Sequence, residues 1–152
     1  MMPTTAFIDD LIVHRLPMRL LDRIISLSEG EVVADAVVRP DNPFFEPGRG
    51  LPAYVGLEMM AQAIAALDGE KRRNSSRPAK IGFLLGCRRY MSRVPIFAEG
   101  TRLTVRAKMV FEDNEMLAFD CGIEDSNGAL ATANLKVYAP ADPLAFLKRA
   151  QA

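Results

Sequence analysis

Glu58 is the side chain of this sequence whose type and surroundings point most directly to chemistry. It lies in the run 51–67, where the only other strongly polar side chains are Gln62 and the hydroxyl-bearing Tyr54. Burying a lone carboxylate is costly, so an apolar helix that keeps one suggests that the group is used. Desolvation raises the pKa of a carboxylate and makes it a proton donor near neutral pH. The alternative is a structural carboxylate that backbone donors satisfy.

Two further residues are predicted to act with this carboxylate. Gln62 lies four residues after Glu58, on the same face of a helix, and is predicted to orient Glu58 or a water molecule. His14 is the only histidine of the chain, and an imidazole has the ordinary pKa of a base that works near neutrality. Two interpretations of His14 stay open: it holds the N-terminal segment in place, or a rearranged N-terminus brings it to Glu58.

A helix predicted over residues 52–73 must position Glu58. Proline suits the first turn of a helix, and a helix that is apolar all round is a buried one. The apolar run is too short and too interrupted to span a membrane, so we expect a sheet to wrap around it.

Strands are predicted on both sides of this helix. The strand-like runs are 20–28, 32–39, 81–90, 101–112, 116–124 and 129–138. Turn signals at 113–114 and 126–128 indicate hairpins, and short helices are predicted within 4–13 and 143–151. The order predicts an α+β architecture in one domain that spans residues 1–152.

Composition excludes several classes of function. Of the 152 residues, 49% are hydrophobic, which is enough for a core without a disulfide or a metal. The formal net charge of zero argues against a general nucleic-acid binder. Cys87 and Cys121 lack metal-binding spacing and are predicted to be small buried hydrophobes in a reducing compartment. No cofactor, metal, membrane span or signal peptide is predicted, so we expect a soluble, cytoplasmic protein.

Several motifs resemble those of the β-hydroxyacyl-(acyl carrier protein) dehydratases, in the same order along the chain. Residues 13–23 resemble the family's PHRxPxLLxDR motif, residues 42–45 its NEPFF motif and residues 58–62 its EAMAQ motif. Four more positions match its FxGxxxxxFxxPVxPGD strand: Phe83, Gly86, Pro95 and Gly100. The resemblance extends from about Leu11 to Pro140.

The resemblance implies a hot-dog fold, in which an antiparallel sheet wraps around one long central buried helix. It also implies dimerisation through the sheet and dehydration of 3-hydroxyacyl chains on the phosphopantetheine arm of an acyl carrier protein. The carboxylate of the family's catalytic pair corresponds to Glu58. The family's loop histidine has no counterpart, because segment 45–52 is shorter and offers Glu46, which we expect to be solvated, but no histidine. In the family, the motif around His14 lies outside the catalytic pair.

These departures resemble a divergent branch, the second dehydratase-like component of aryl-polyene biosynthesis, whose implied partner is a more typical dehydratase. In the family, backbone N–H groups at the start of the central helix polarise the thioester carbonyl. The substrate-binding residues predicted on this basis are Phe44, Phe45, Leu51, Ala53, Tyr54 and Gln62. Gly50 and Gly56 are weaker candidates for this region.

Basic side chains form two clusters that could steer an acidic carrier protein. They are Lys71, Arg72, Arg73, Arg77 and Lys80, and then Arg88, Arg89 and Arg93. Arg72, Arg73, Arg88 and Arg89 are the predicted docking residues. The alternative is an ordinary solvated face.

Three hypotheses of function follow from these residues. The first is a 3-hydroxyacyl-carrier-protein dehydratase that acts in fatty-acid or polyene biosynthesis. The second is a non-catalytic hot-dog subunit that stabilises an active dehydratase, and the third is a thioesterase in which a helix carboxylate activates water. The motifs favour the dehydratase lineage, and they leave open whether the assembly is a homodimer or a heteromer.

Overall fold

A computed structural model describes residues 2–3, 7–75 and 82–151. Within these residues, seven strands form one antiparallel sheet. The strands are β1 (Met2–Pro3), β2 (Arg23–Leu27), β3 (Glu31–Val37), β5 (Phe83–Ser92), β7 (Arg102–Asp113), β8 (Met116–Asp125) and β9 (Gly128–Tyr138). Their order across the sheet is β1-β2-β3-β7-β8-β9-β5. Two further short strands, β4 (Leu51–Pro52) and β6 (Ile96–Phe97), pair with each other.

The helices are α1 (Ile8–Leu11), α2 (Gly56–Ser75) and α3 (Pro143–Gln151), and a turn of 3-10 helix (Ala53–Val55) precedes α2. The prediction of a sheet around one long helix is therefore confirmed. The helix predicted over 4–13 is shorter than expected, and residues 4–6 lie outside the described part of the chain. The pair β4–β6 was not predicted, because a strand of two residues has no period to detect.

The alternation of side chains along β7 shows how the sheet meets the helix. Leu103, Val105 and Ala107 are buried on the inner face, whereas Arg102 and Arg106 point to solvent. The predicted alternation is confirmed, and it places the polar face of the sheet away from α2.

One face of α2 differs from the prediction of burial all round. The opposite faces are buried against the sheet through Met59, Met60, Ala63, Ala66 and Leu67. Tyr54, Glu58, Ala61 and Ala65 recur at intervals of three and four residues, which places them on one stripe. In this stripe Tyr54 is 69% exposed and the Glu58 side chain is 47% exposed. The prediction that burial desolvates Glu58 is therefore wrong for the single chain, because the single chain leaves this end of the stripe open to solvent.

The two cysteines differ in burial. Cys121 is buried, as predicted, and burial raises the pKa of its thiol to about 12. Cys87 is only half-buried, because it lies in β5 at the edge of the sheet. Within the described residues, no helix has the length and apolar character that crossing a membrane requires.

Candidate active site

The fold brings His14 and Glu58 together. His14 Nε2 lies 3.6 Å from Glu58 Oε1, and the two side chains are 32% and 47% exposed. This separation is longer than a hydrogen bond, and catalytic contacts often tighten only when substrate binds. Of the two interpretations of His14, the geometry matches the one in which the N-terminal segment carries the imidazole to the helix carboxylate.

Gln62 connects this pair to the backbone of the N-terminal segment. Its side chain is fully buried. Its Nε2 donates to Met18 O at 2.9 Å and to Glu58 Oε1 at 3.2 Å, while its Oε1 accepts from Leu20 N–H at 2.8 Å. Because Leu20 N–H can only donate and Met18 O can only accept, the amide has one possible orientation. The predicted contact between Gln62 and Glu58 is therefore present.

The environment of Nδ1, the second ring nitrogen of His14, bears on how the imidazole is oriented. Nδ1 is buried and has no hydrogen-bond partner among the described residues. A neutral imidazole is usually held in one tautomer by a bond at its other nitrogen. Within the described part of the chain, the ionisable side-chain atom that approaches this ring is Glu58 Oε1, 3.6 Å from Nε2.

An apolar cleft of about 300 Å³ begins beside His14. This is the lower end of the range for ligand pockets. The walls come from the N-terminal segment, from α2 and from the strands, chiefly Leu11, Ile12, Val13, Ala61, Ile64, Ala65, Leu135 and Val137. Asp68, Lys71 and Arg72 lie along the same cleft. The size and the mainly apolar lining of this cleft suit an apolar ligand.

The start of α2 offers fewer groups to a ligand than predicted. The Leu51 side chain is fully buried, and Ala53 N–H donates to Pro95 O at 3.0 Å. The Tyr90 hydroxyl donates to Ala53 O. Both side chains are therefore buried, and the N–H group of Ala53 is already bonded. Of the predicted residues at the start of α2, Tyr54 has the exposed side chain.

The loop before α2 holds the other predicted contacts. Phe44 is 37% exposed, whereas Phe45 packs against the core. Arg49 Nη1 donates to Glu46 Oε2 at 2.6 Å, so the loop carboxylate is satisfied within its own loop. Glu46 was expected to be solvated, and its side chain is 40% exposed but is also paired with Arg49.

The four predicted docking arginines lie on two different elements. Arg72 and Arg73 are in the last turns of α2, where Arg73 Nη1 lies 3.3 Å from Glu70 Oε2. Arg88 and Arg89 are exposed on β5. Arg77 and Lys80 lie outside the described residues. The described arginines therefore belong to two places on the surface, one of which is the edge of the sheet.

Gly69 is a residue whose importance the motifs did not reveal. It lies inside α2, and a Cβ there would stand 2.7 Å from Leu11 C and 2.9 Å from Leu11 Cα. An isolated glycine inside a helix costs stability relative to alanine, which was the signal that the sequence offered at this position. As for metals, no cluster of three histidine, cysteine or acidic side chains occurs among the described residues.

Comparison with known proteins identifies the family to which this chain belongs. A family model described as ApeP-like, ApeP dehydratase, matches residues 6–148. The chain belongs to the ApeP-like dehydratase family.

Relatives of this chain include proteins named as 3-hydroxyacyl-[acyl-carrier-protein] dehydratases. The 3-hydroxyacyl-[acyl-carrier-protein] dehydratase FabZ of Streptococcus agalactiae is 28% identical over 83% of this chain and 89% of its own length. FabZ of Chlamydia trachomatis is 36% identical over 66% of this chain and 69% of its own. The resemblance to the carrier-protein dehydratases is therefore confirmed.

Two solved structures share the fold of this chain. The dehydratase heterocomplex ApeI:P from Xenorhabdus doucetiae contains a chain that superposes with a TM-score of 0.88 at 28% identity, covering 98% of this chain and 100% of that one. The E. coli PaaI protein superposes with a TM-score of 0.60 at 18% identity, covering 76% and 80% of the two chains, and this likeness shows the fold alone. The predicted hot-dog fold and the likeness to an aryl-polyene dehydratase are both confirmed.

Proposed function

We propose that this chain removes water from a 3-hydroxyacyl thioester carried by an acyl carrier protein, with His14 and Glu58 as the catalytic pair. The observation that carries the proposal is the 3.6 Å approach of His14 Nε2 to Glu58 Oε1 beside an apolar cleft. The reaction needs a base for the C2 proton and an acid for the leaving hydroxyl, and an imidazole and a carboxyl group supply both.

In the proposed reaction, the neutral imidazole of His14 takes the proton from C2 of the acyl chain. The electron pair of that C–H bond forms the C2–C3 double bond, and the C3–O bond breaks. The hydroxyl leaves with the proton of the Glu58 carboxyl group, as water. The proton on His14 then returns to Glu58, which restores the pair.

The thioester carbonyl needs a hydrogen-bond donor as charge develops on its oxygen. The first N–H groups of a helix lack partners inside the helix, but Ala53 N–H already bonds Pro95 O. We therefore assign this role to the N–H of Tyr54, the next residue along. Gln62 contributes by holding Glu58 through its bond to Oε1. The acyl chain then lies in the apolar cleft next to His14.

We also propose that the working form is a heteromer with a second dehydratase chain. The similarity to a chain of the ApeI:P heterocomplex supports this, as does the absence of a loop histidine in segment 45–52. The strand β5 lies at the edge of the sheet with exposed Leu84 and Met91, and exposed edges are where strands of a second chain pair. The open stripe of α2 is a second exposed surface that a partner chain could cover.

The carrier protein would meet the basic side chains near the cleft. Arg72 lines the cleft and Arg73 follows it on the last turns of α2. Arg88 and Arg89 lie on β5, where a partner chain would pair, so we expect them to steer a carrier only if the pairing leaves them exposed. An acidic carrier would be steered by such a patch mainly at low ionic strength.

The test is a dehydration assay with a short 3-hydroxyacyl chain on its carrier protein, followed by mass spectrometry for the loss of one water. The protein is assayed alone and with a FabZ-type chain from the same organism. We expect His14→Gln and Glu58→Gln each to lower kcat/KM about 10²- to 10⁴-fold, the usual contribution of a general acid or base.

Each of the other outcomes would reject the proposal and support a different function. If neither the protein nor the complex releases water, the chain is not a dehydratase for this substrate. If complexes with both variants keep full activity, it is a non-catalytic subunit of the heteromer. Release of free thiol from the carrier instead of water would identify a thioesterase.

A further inference from the structure

Residues 7–20 form a segment, here called the N-terminal strap, that runs across α2 and carries His14. The strap contributes Leu11, Ile12 and Val13 to the wall of the cleft. Leu11 is only 1% exposed and Ile12 only 4%, so the strap is seated in the core before it reaches His14.

The strap meets α2 most closely at Gly69. A Cβ at this position would lie 2.7 Å from Leu11 C and 2.9 Å from Leu11 Cα, and closer still to Leu11 O. These are backbone atoms, which cannot turn aside as the end of a flexible side chain can. Helix propensity favours alanine over glycine inside a helix. The glycine at position 69 is therefore explained by the close contact with the strap and not by the stability of the helix itself.

A second anchor lies on the other side of His14. The buried amide of Gln62 donates to Met18 O and accepts from Leu20 N–H. The same amide donates to Glu58 Oε1. The end of the strap and the carboxylate are thus held by one side chain.

Two arginines form hydrogen bonds within the strap, between these two anchors. Arg15 donates to Asp9 O at 3.0 Å, to Ile12 O at 2.7 Å and to His14 O at 3.0 Å. Arg19 Nη1 donates to Asp9 Oδ1 at 2.9 Å. These bonds join the α1 end of the strap to the turn that follows His14, so the strap holds its shape between the two anchors.

We propose that Gly69 is a positioning residue, whose missing side chain lets the strap lie close enough to α2 to present His14 to Glu58. The inference rests on the proposed role of His14 in dehydration. A Cβ at position 69 forces Leu11 away from the helix, and His14 is three residues further along the same strap. Misplacement of a catalytic group by about 1 Å can lower a rate 100-fold.

The experiment compares Gly69→Ala with Gly122→Ala, assayed in the same complex as the wild type. A Cβ at Gly122 would meet Ala131 O at 3.8 Å, an ordinary contact, so this control makes the same substitution without the clash. We expect kcat to fall about 100-fold in Gly69→Ala and to stay within about twofold in Gly122→Ala. Thermal melts establish that both variants fold.

A double substitution shows whether the loss of kcat in Gly69→Ala depends on His14. If Gly69 acts only by positioning this imidazole, then Gly69→Ala causes no further loss in a His14→Gln background. A purely structural defect would lower the activity of both backgrounds equally. Arg15→Ala, at a side chain that is 58% exposed, removes the ties within the strap without touching the core and should lower kcat in the same direction.

An NMR measurement separates this inference from the dehydratase proposal. The imidazole signals of the chain come from one residue, His14. In Gly69→Ala and in Glu58→Gln these signals should shift, whereas in Gly122→Ala they should not. Unchanged imidazole signals in Gly69→Ala, or additive losses in the double variant, would overturn the positioning role. If His14→Gln keeps full activity but the signals move as expected, the positioning stands and the catalytic proposal fails.

Discussion

At the scale of single residues, the amide of Gln62 explains how Glu58 keeps its place on an open stripe. One buried side chain bonds Met18 O, Leu20 N–H and Glu58 Oε1, so each hydrogen of the amide has a partner. A buried network of this kind is stable only while every member is satisfied.

We expect Gln62→Glu to lower the free energy of unfolding by about 1–3 kcal/mol at neutral pH, the cost of buried groups that lose their partners. The new carboxylate can accept from Leu20 N–H, but it cannot donate to Met18 O or to Glu58. Its protonated form can donate once, so the ionised form is disfavoured by folding and the loss should shrink as pH falls.

Urea unfolding at about pH 5 and about pH 8 measures both effects. Gln62→Met is the matched control, because it removes the same bonds without adding a titrating group. Its loss of stability should therefore be the same at the two pH values. An equal loss at both pH values in Gln62→Glu would contradict the expected network.

At the scale of elements, the start of α2 is fixed by the sheet rather than by a helix cap. The Tyr90 hydroxyl, on β5, donates to Ala53 O in the turn before the helix. Ala53 N–H bonds Pro95 O near β6. Contacts from β5 and from the residue before β6 thus set where the helix that carries Glu58 begins.

Tyr90→Phe should lower the free energy of unfolding by about 0.5–1.5 kcal/mol, the net value of one hydrogen bond. Burial raises the pKa of Tyr90 from 10.0 to about 12. The neutral hydroxyl is therefore the form that folding favours, and its contribution is complete below pH 10 and is lost as pH rises toward 12.

Denaturant melts of the wild type and Tyr90→Phe at increasing alkaline pH follow this contribution. The difference between the two proteins should shrink as pH rises above 10. Tyr54→Phe is the control, because the Tyr54 side chain is 69% exposed and its hydroxyl should make little difference to stability at any pH. A constant difference for Tyr90→Phe would contradict the assignment.

At the scale of the whole molecule, one edge of the sheet and one stripe of α2 remain open in the single chain. The ten-residue strand β5 pairs on one side with β9 and ends the sheet on the other. A long edge strand with apolar side chains is a template for pairing with another chain.

Met91→Glu should weaken assembly with the second dehydratase chain at least about 10-fold, or about 1.4 kcal/mol, because it places a charge in the expected interface. Met91 is 64% exposed on β5, and Val110 is 50% exposed on β7. Val110→Glu is therefore the control with a similar loss of apolar surface away from the edge. Light scattering after gel filtration, with titration of the partner, compares the two. Equal affinities for both variants would place the interface elsewhere.

The sequence was sufficient for the elements whose pattern is local. Leu103, Val105 and Ala107 alternate with basic residues, and the period of two predicted β7 and its inner face. The run around Met59 and Met60 predicted a long helix against that face. The motif around Glu58 and Gln62 predicted that these two side chains are neighbours, because residues four apart on a helix lie on the same face.

The tertiary structure alone decided how distant segments meet. Whether His14 reaches Glu58 depends on the path of the strap across α2, and that path depends on the contact of Leu11 with Gly69. Whether Glu58 is buried depends on how far the sheet curls around the helix. Sequence periodicity reports which side chains share a face, but not what covers that face, and this is why the partner of Glu58 became apparent only in the folded chain.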